Sequence, residues 1–222
     1  MSALIMQQKV AVSCRLDNRS VKVAGAAILG AMAFLLQLFV KFPFPLLPWL
    51  VFDFAEIPTV VAFLLFGPIW GLLSSTILWL IMVIRGSSFP PGPYMKLAAI
   101  VAMQVGMWLG FILAKKMGFG TSKTFASGIA MGLVLRVLLM TPINYVVVGV
   151  LFASDFYYNT ASRALKIVGI TLASQGQFIT LMLVFSGVYN ALHVILSVVP
   201  TIAIAKATPI IKQSWFMQKI RN

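Results

Sequence analysis

Long uninterrupted apolar runs constrain this chain more than any other feature of its sequence. Residues 23–40 and 97–114 carry no charged side chain, and similar runs cover about 69–84, 124–152 and 188–207. A helix rises about 1.5 Å per residue, so roughly 20 such residues cross a bilayer core of about 30 Å. A β-barrel would show alternating segments of about ten residues instead. The chain is 61% hydrophobic and only 9% charged, whereas about a quarter of a soluble domain is charged. These features predict an all-α polytopic membrane protein, and the lack of a polar linker predicts one bundle.

The charge is +13 over 222 residues, which by itself would suit nucleic acid. Position excludes that reading. Lys9, Arg15, Arg19 and Lys22 precede the first span, and Lys115, Lys116 and Lys123 lie between two spans. Lys206, Lys212, Lys219 and Arg221 follow the last, so eleven of the seventeen basic residues flank membrane segments. That is the pattern of cytoplasmic loops. Six spans put all three clusters on one side, with both termini cytoplasmic. The resulting division is a basic tail (residues 1–22), a six-helix bundle (23–211) and a second basic tail (212–222). The first residues are too polar and basic for a cleavable signal peptide. Cys14 is the sole cysteine, which excludes an internal disulfide.

Between the first spans lies a different kind of sequence: Phe42-Pro43-Phe44-Pro45, then Asp53-Phe54-Ala55-Glu56-Ile57-Pro58, then Gly67-Pro68-Ile69-Trp70-Gly71. Broken backbone of this kind cannot face lipid, where each unpaired group costs several kcal/mol. It must line a cavity, lie at the interface or be buried in protein, and we read it as part of a ligand site. A second span is expected from about residue 50 or 54 to 66. Asp53 and Glu56 near its start suit either a helix dipole or a ligand's donors. Residues 86–95, rich in proline and glycine, read as loop. Asp155, Tyr157, Tyr158, Asn159 and Arg163 read as an exterior loop. The apolar stretches 165–173 and 178–185 read as interfacial helices or an early start to the last span.

Arg136 stands inside the fifth span, where a charge costs about 3 kcal/mol or more, so it is a functional candidate by default, the alternative being that it snorkels or pairs inside the bundle. Phe42, Phe44, Trp49, Phe52, Phe54, Phe89, Tyr94 and Tyr189 suit stacking on a flat heterocycle, or alternatively an interfacial aromatic belt. No Gly-x-x-x-x-Gly-Lys-Ser/Thr loop, His-Glu-x-x-His or Gly-x-Ser-x-Gly occurs, and His193 is the only histidine. A metal centre is therefore not expected. A small membrane enzyme using Asp53, Glu56 and Arg136 is the alternative to a binding subunit. Ala26 with Gly30, and Ala27 with Ala31, leave smooth patches on the first helix, for packing inside the bundle or for a partner.

Phe-Pro-x-Pro, Asp-Phe-x-Glu-Ile-Pro and Phe-Gly-Pro-x-x-Gly, with Asn144-Tyr145 and Tyr189-Asn190-x-x-His193 downstream, closely resemble the riboflavin-type S components of energy-coupling factor (ECF) transporters. The resemblance covers residues 20–210. It implies a six-helix vitamin-binding subunit with no cofactor, transporting riboflavin as ligand. Its implied partners are a transmembrane coupling subunit and two ATP-binding cassette ATPases. Implied ligand contacts are the first connection (Phe44, Leu46, Trp49), Asp53, Tyr94, Asn144, Asn190 and His193; implied docking positions are Ala27 and Ala31. The chain departs from the family's pattern at His193, where a lysine is usual. It also lacks a Lys-Asn pair in the third span and an Asn-Phe after Tyr94. These departures leave another vitamin or small metabolite open as the ligand.

Overall fold

The computed structural model describes residues 18–87, 89–151 and 155–207. Most of the N-terminal basic tail, with Cys14, lies outside these residues, as do the C-terminal tail and the side chains of Asp155 and Lys206.

Helix α1 (Arg19–Phe39) leads into strands β1 (Lys41–Phe44) and β2 (Leu47–Asp53), followed by α2 (Glu56–Phe66), α3 (Pro68–Arg85), α4 (Gly92–Lys116) and α5 (Thr121–Asn144). A π-helical segment (Tyr145–Leu151) extends α5, and α6 (Asp155–Ile167) and α7 (Gln175–Ala207) complete the chain. Five of these helices (α1, α3, α4, α5 with its π segment, and α7) are long and apolar enough to cross a membrane.

The expectation of a purely helical protein is corrected at the first connection. Residues 41–53 form an antiparallel hairpin in which Phe42 pairs with Phe52 and Pro43 with Val51, with a register shift after Pro43. Proline is tolerated here because a two-stranded ribbon consists only of edges, where a missing N–H breaks no ladder. The hairpin also replaces the first part of the expected second span. What remains is α2, whose 11 residues rise only about 16 Å. The Asp53 carboxylate accepts from the Ala55 N–H at 3.0 Å, turning the strand into the helix. Pro58 falls in the first turn of α2, where no intrahelical N–H is needed.

Two loop expectations are also corrected. Gly92-Pro93-Tyr94-Met95 form the first turn of α4, since a proline at the start of a helix loses no hydrogen bond and presets φ. Residues 155–163 are helical as part of α6, with Ala161 and Leu165 fully buried against the hairpin cluster. The early-start alternative holds for the last span, since α7 begins at Gln175.

Glycine sets the closest helix contacts. On α4, Gly106 and Gly110 lie directly against the backbone of Met131–Gly132 and Ser127–Gly128 on α5. On α1, Ala26, Gly30 and Ala33 are buried, with Gly30 against Ser74 O of α3. The two small-residue pairs therefore part company. Ala26 and Gly30 pack inside, whereas Ala27 is half-buried and Ala31 exposed on the outer face.

Candidate functional site

At the end of the hairpin lies a compact charged cluster assembled from five elements, β2, α2, α4, α5 and α7. Glu56 opens α2 and is wholly buried. Its Oε2 accepts from Arg136 Nη1 of α5 and from Ser197 Oγ of α7 (3.0 Å), while Oε1 accepts from Lys96 Nζ of α4 at 3.0 Å. The same ammonium donates to Asp53 Oδ1 at 2.8 Å and lies 3.5 Å from His193 Nε2. Arg136 Nε donates to Asn190 Oδ1 at 3.1 Å. Two carboxylates therefore face two permanent cations, which is what makes the burial tolerable, since an unpaired charge here would be expensive. Arg136 pairs inside the bundle with Glu56.

Beside the cluster is a cavity of about 250 Å³. Trp49, Leu50 and Val51 of β2, Phe89, Met95 and Lys96, and Arg136, Met140, Asn144, Val148, Tyr189 and Asn190 line it. Its aromatic side is braced from outside: Trp49 packs edge-on against Tyr157 of α6, with ring centroids 5.1 Å apart. Its polar side has fixed valences. The two N–H groups of the Asn144 amide go to Met140 O (2.9 Å) and Ser186 Oγ (2.8 Å). Because a carbonyl can only accept, this fixes the amide's orientation and leaves the buried Oδ1 with no partner. Asn190 Oδ1 is taken by Arg136, and Nδ2 donates one proton to Ser186 O at 2.9 Å. One amide proton of Asn190 is thus left over.

The expected site residues separate accordingly. Trp49, Asn144 and Asn190 meet at the cavity. Phe44 is buried below the hairpin with Phe52 and Tyr189, and Leu46 packs against that same cluster. Asp53 and His193 stand behind the cavity wall, where they contact Lys96. Tyr94 is 56% exposed and packs against Trp79. Lys96 has no place among the expected residues, although one signal marks it. It is a lysine just after the first turn of an apolar helix, near the wrong end of the dipole for a cation and away from the basic clusters.

Helices built to span a membrane around a buried cavity with polar and aromatic walls define a membrane protein that holds a small molecule. The chain belongs to the family described as the substrate-specific component of ECF transporters, whose profile matches residues 21–205. It is a multi-pass cell-membrane protein. It is 30% identical over 128 residues to the riboflavin transporter FmnP of Bacillus subtilis, covering 57% of this chain and 66% of that protein. It is 26% identical over 143 residues to the riboflavin transporter RibU of Staphylococcus aureus, covering 64% of this chain and 72% of that protein. The match thus spans just under two thirds of the Bacillus protein. A solved S component of a bacterial ECF transporter shares the fold, with a TM-score of 0.60 at 20% identity over 86% of this chain and 96% of the other.

Proposed function

We propose that this protein is the membrane-embedded, high-affinity riboflavin-binding subunit of an ECF-type importer, and that it binds without chemical turnover. The observation that carries the reading is the polar wall of the cavity. Asn144 offers an orphaned acceptor beside a spare donor on Asn190 and the cation of Lys96. A cyclic imide edge, with an N–H between two carbonyls, needs one acceptor and flanking donors, and riboflavin presents such an edge on a flat ring. Trp49 and Phe89 supply aromatic surface for that ring. The resemblance to two riboflavin transporters supports the same ligand.

The direct test is titration of riboflavin into the purified protein, followed by quenching of flavin fluorescence. Saturation at one flavin per chain is the expected result. A protein that leaves riboflavin unquenched but binds another vitamin would keep the family and replace the ligand. Asn190→Ala removes both the spare donor and the partner of Arg136 Nε. It should weaken riboflavin binding at least tenfold while the protein still purifies as wild type, and unchanged affinity would take α7 out of the site.

In this reading the chain crosses the membrane six times, with both termini in the cytoplasm. Helix α2 is too short to cross alone, but the hairpin before it occupies the outer part of the bundle, leaving α2 only the remaining depth. Arg19, Lys22, Lys115, Lys116 and Lys123 then share the cytoplasmic side. Transport would need a transmembrane coupling subunit and two ATPases, because the chain has no phosphate-binding loop of its own. The smooth outer strip of α1 at Ala27 and Ala31 suits docking to that subunit. Ala31→Trp should leave riboflavin binding unchanged but block co-purification with the coupling subunit and abolish uptake. Normal uptake by this variant would move the docking surface elsewhere.

A further inference from the structure

Two groups near the cavity could donate a charged hydrogen bond to a ligand, and their surroundings differ. Arg136 also lines the cavity, but its side chain is 1% exposed and its Nε and Nη1 are engaged by Asn190 and Glu56. The side chain of Lys96 is 13% exposed and lines the cavity. An ammonium carries three protons. Two of them have firm acceptors, Asp53 Oδ1 at 2.8 Å and Glu56 Oε1 at 3.0 Å. The third has only His193 Nε2 at 3.5 Å, at the outer limit of a hydrogen bond.

The histidine is held from its other side. Tyr189 Oη donates to Val51 O at 2.7 Å, so it can only accept from His193 Nδ1, 3.0 Å away. On the near side, His193 Nε2 lies 3.2 Å from the Asp53 carbonyl oxygen and 3.4 Å from Glu56 Oε1, so it faces two acceptors as well as the Lys96 ammonium. His193 itself is fully buried and does not line the cavity.

We propose that Lys96 is a ligand-specificity residue of this protein, donating its third proton to a carbonyl oxygen on the polar edge of the bound ring. The inference rests on the riboflavin reading above. Asp53 and Glu56 fix the ammonium so that its remaining N–H is directed by geometry, with little rotamer freedom to lose on binding. The oxygen of a carbonyl suits this donor, whereas sulfur in the same position is a poor acceptor.

The test compares riboflavin with 2-thioriboflavin and 4-thioriboflavin, in which one carbonyl oxygen of the polar edge is replaced by sulfur. Purified wild type should bind riboflavin at least tenfold more tightly than one of the two thio analogues. Lys96→Gln should bring that ratio to within twofold, because the charged donor is gone. Removing this cation leaves Asp53 and Glu56 short of a partner, so a second variant, Lys96→Met with His193→Lys, returns an ammonium from α7 about one hydrogen bond away. This double variant should recover riboflavin binding and a preference for oxygen over sulfur. If Lys96→Gln weakens all three flavins equally and keeps the ratio, Lys96 serves structure alone and the proposal falls. It falls equally if wild type does not distinguish oxygen from sulfur, or if the double variant folds but binds without the preference. Failure of wild type to bind any of the three flavins would instead remove the riboflavin reading itself, and the role of Lys96 with it.

Discussion

Glu56→Gln should lower the thermal unfolding midpoint of the detergent-solubilised protein more than any other single change in its polar groups. Glu56 is the common partner of Arg136, Lys96 and Ser197, and no part of its side chain is exposed. Removing one member of a buried pair typically costs about 3–5 kcal/mol, most of it from the charge left behind. Here two cations lose their shared carboxylate, and Asp53 can serve only Lys96. For a chain of this size the shift should be on the order of 10 °C, read from tryptophan fluorescence on heating. The double variant Glu56→Gln, Arg136→Met should recover most of the loss, because a neutral apolar side chain of similar reach leaves no unpaired cation. A melt unchanged by Glu56→Gln would mean that the two charges do not meet.

The second large effect is expected where α4 meets α5. A Cβ on Gly110 would lie 2.5 Å from Ser127 O and 2.7 Å from Gly128 Cα, both backbone atoms that cannot rotate away. Gly110→Leu must push the helices apart over their whole contact. The cost should reach or pass the upper end of the roughly 1–3 kcal/mol usual for overpacking. Loss of a monodisperse peak on size exclusion is the expected outcome. Gly120→Ala, where a Cβ would meet nothing within 4 Å, is the matching control and should behave as wild type. Equal behaviour of the two variants would show that the glycine seam does not set the approach of α4 and α5. The same two helices carry cavity-lining residues, Lys96 on α4 and Arg136 and Asn144 on α5.

Much of the fold was legible because its causes are local. A run such as residues 97–114 is helical and membrane-embedded wherever it lies, since the bilayer leaves the backbone no other way to satisfy its own hydrogen bonds. The proline-broken stretch between α1 and α3 could likewise be marked as sheltered from lipid, although its form as a hairpin could not. The pairing of Phe42 with Phe52 depends on what packs beneath them, here Tyr189, a ring 4.7 Å from Phe52 and more than a hundred residues away in the chain. The start of α4 was misjudged for a simpler reason. Prolines that forbid a helix interior are acceptable in its first turn, and the boundary decides which case applies.

The sequence by itself determined the membrane class and the basic flanks, and it marked Trp49, Asn144 and Asn190, which lie at the cavity. Which charge pairs with which was decided only by tertiary structure. Lys96 meets Asp53 and Glu56 across about forty residues of chain, and Arg136 meets Glu56 across eighty. Local sequence contains no term for such distances. In the bundle they become hydrogen-bond lengths because burial in lipid leaves each charge no stable place except against its opposite.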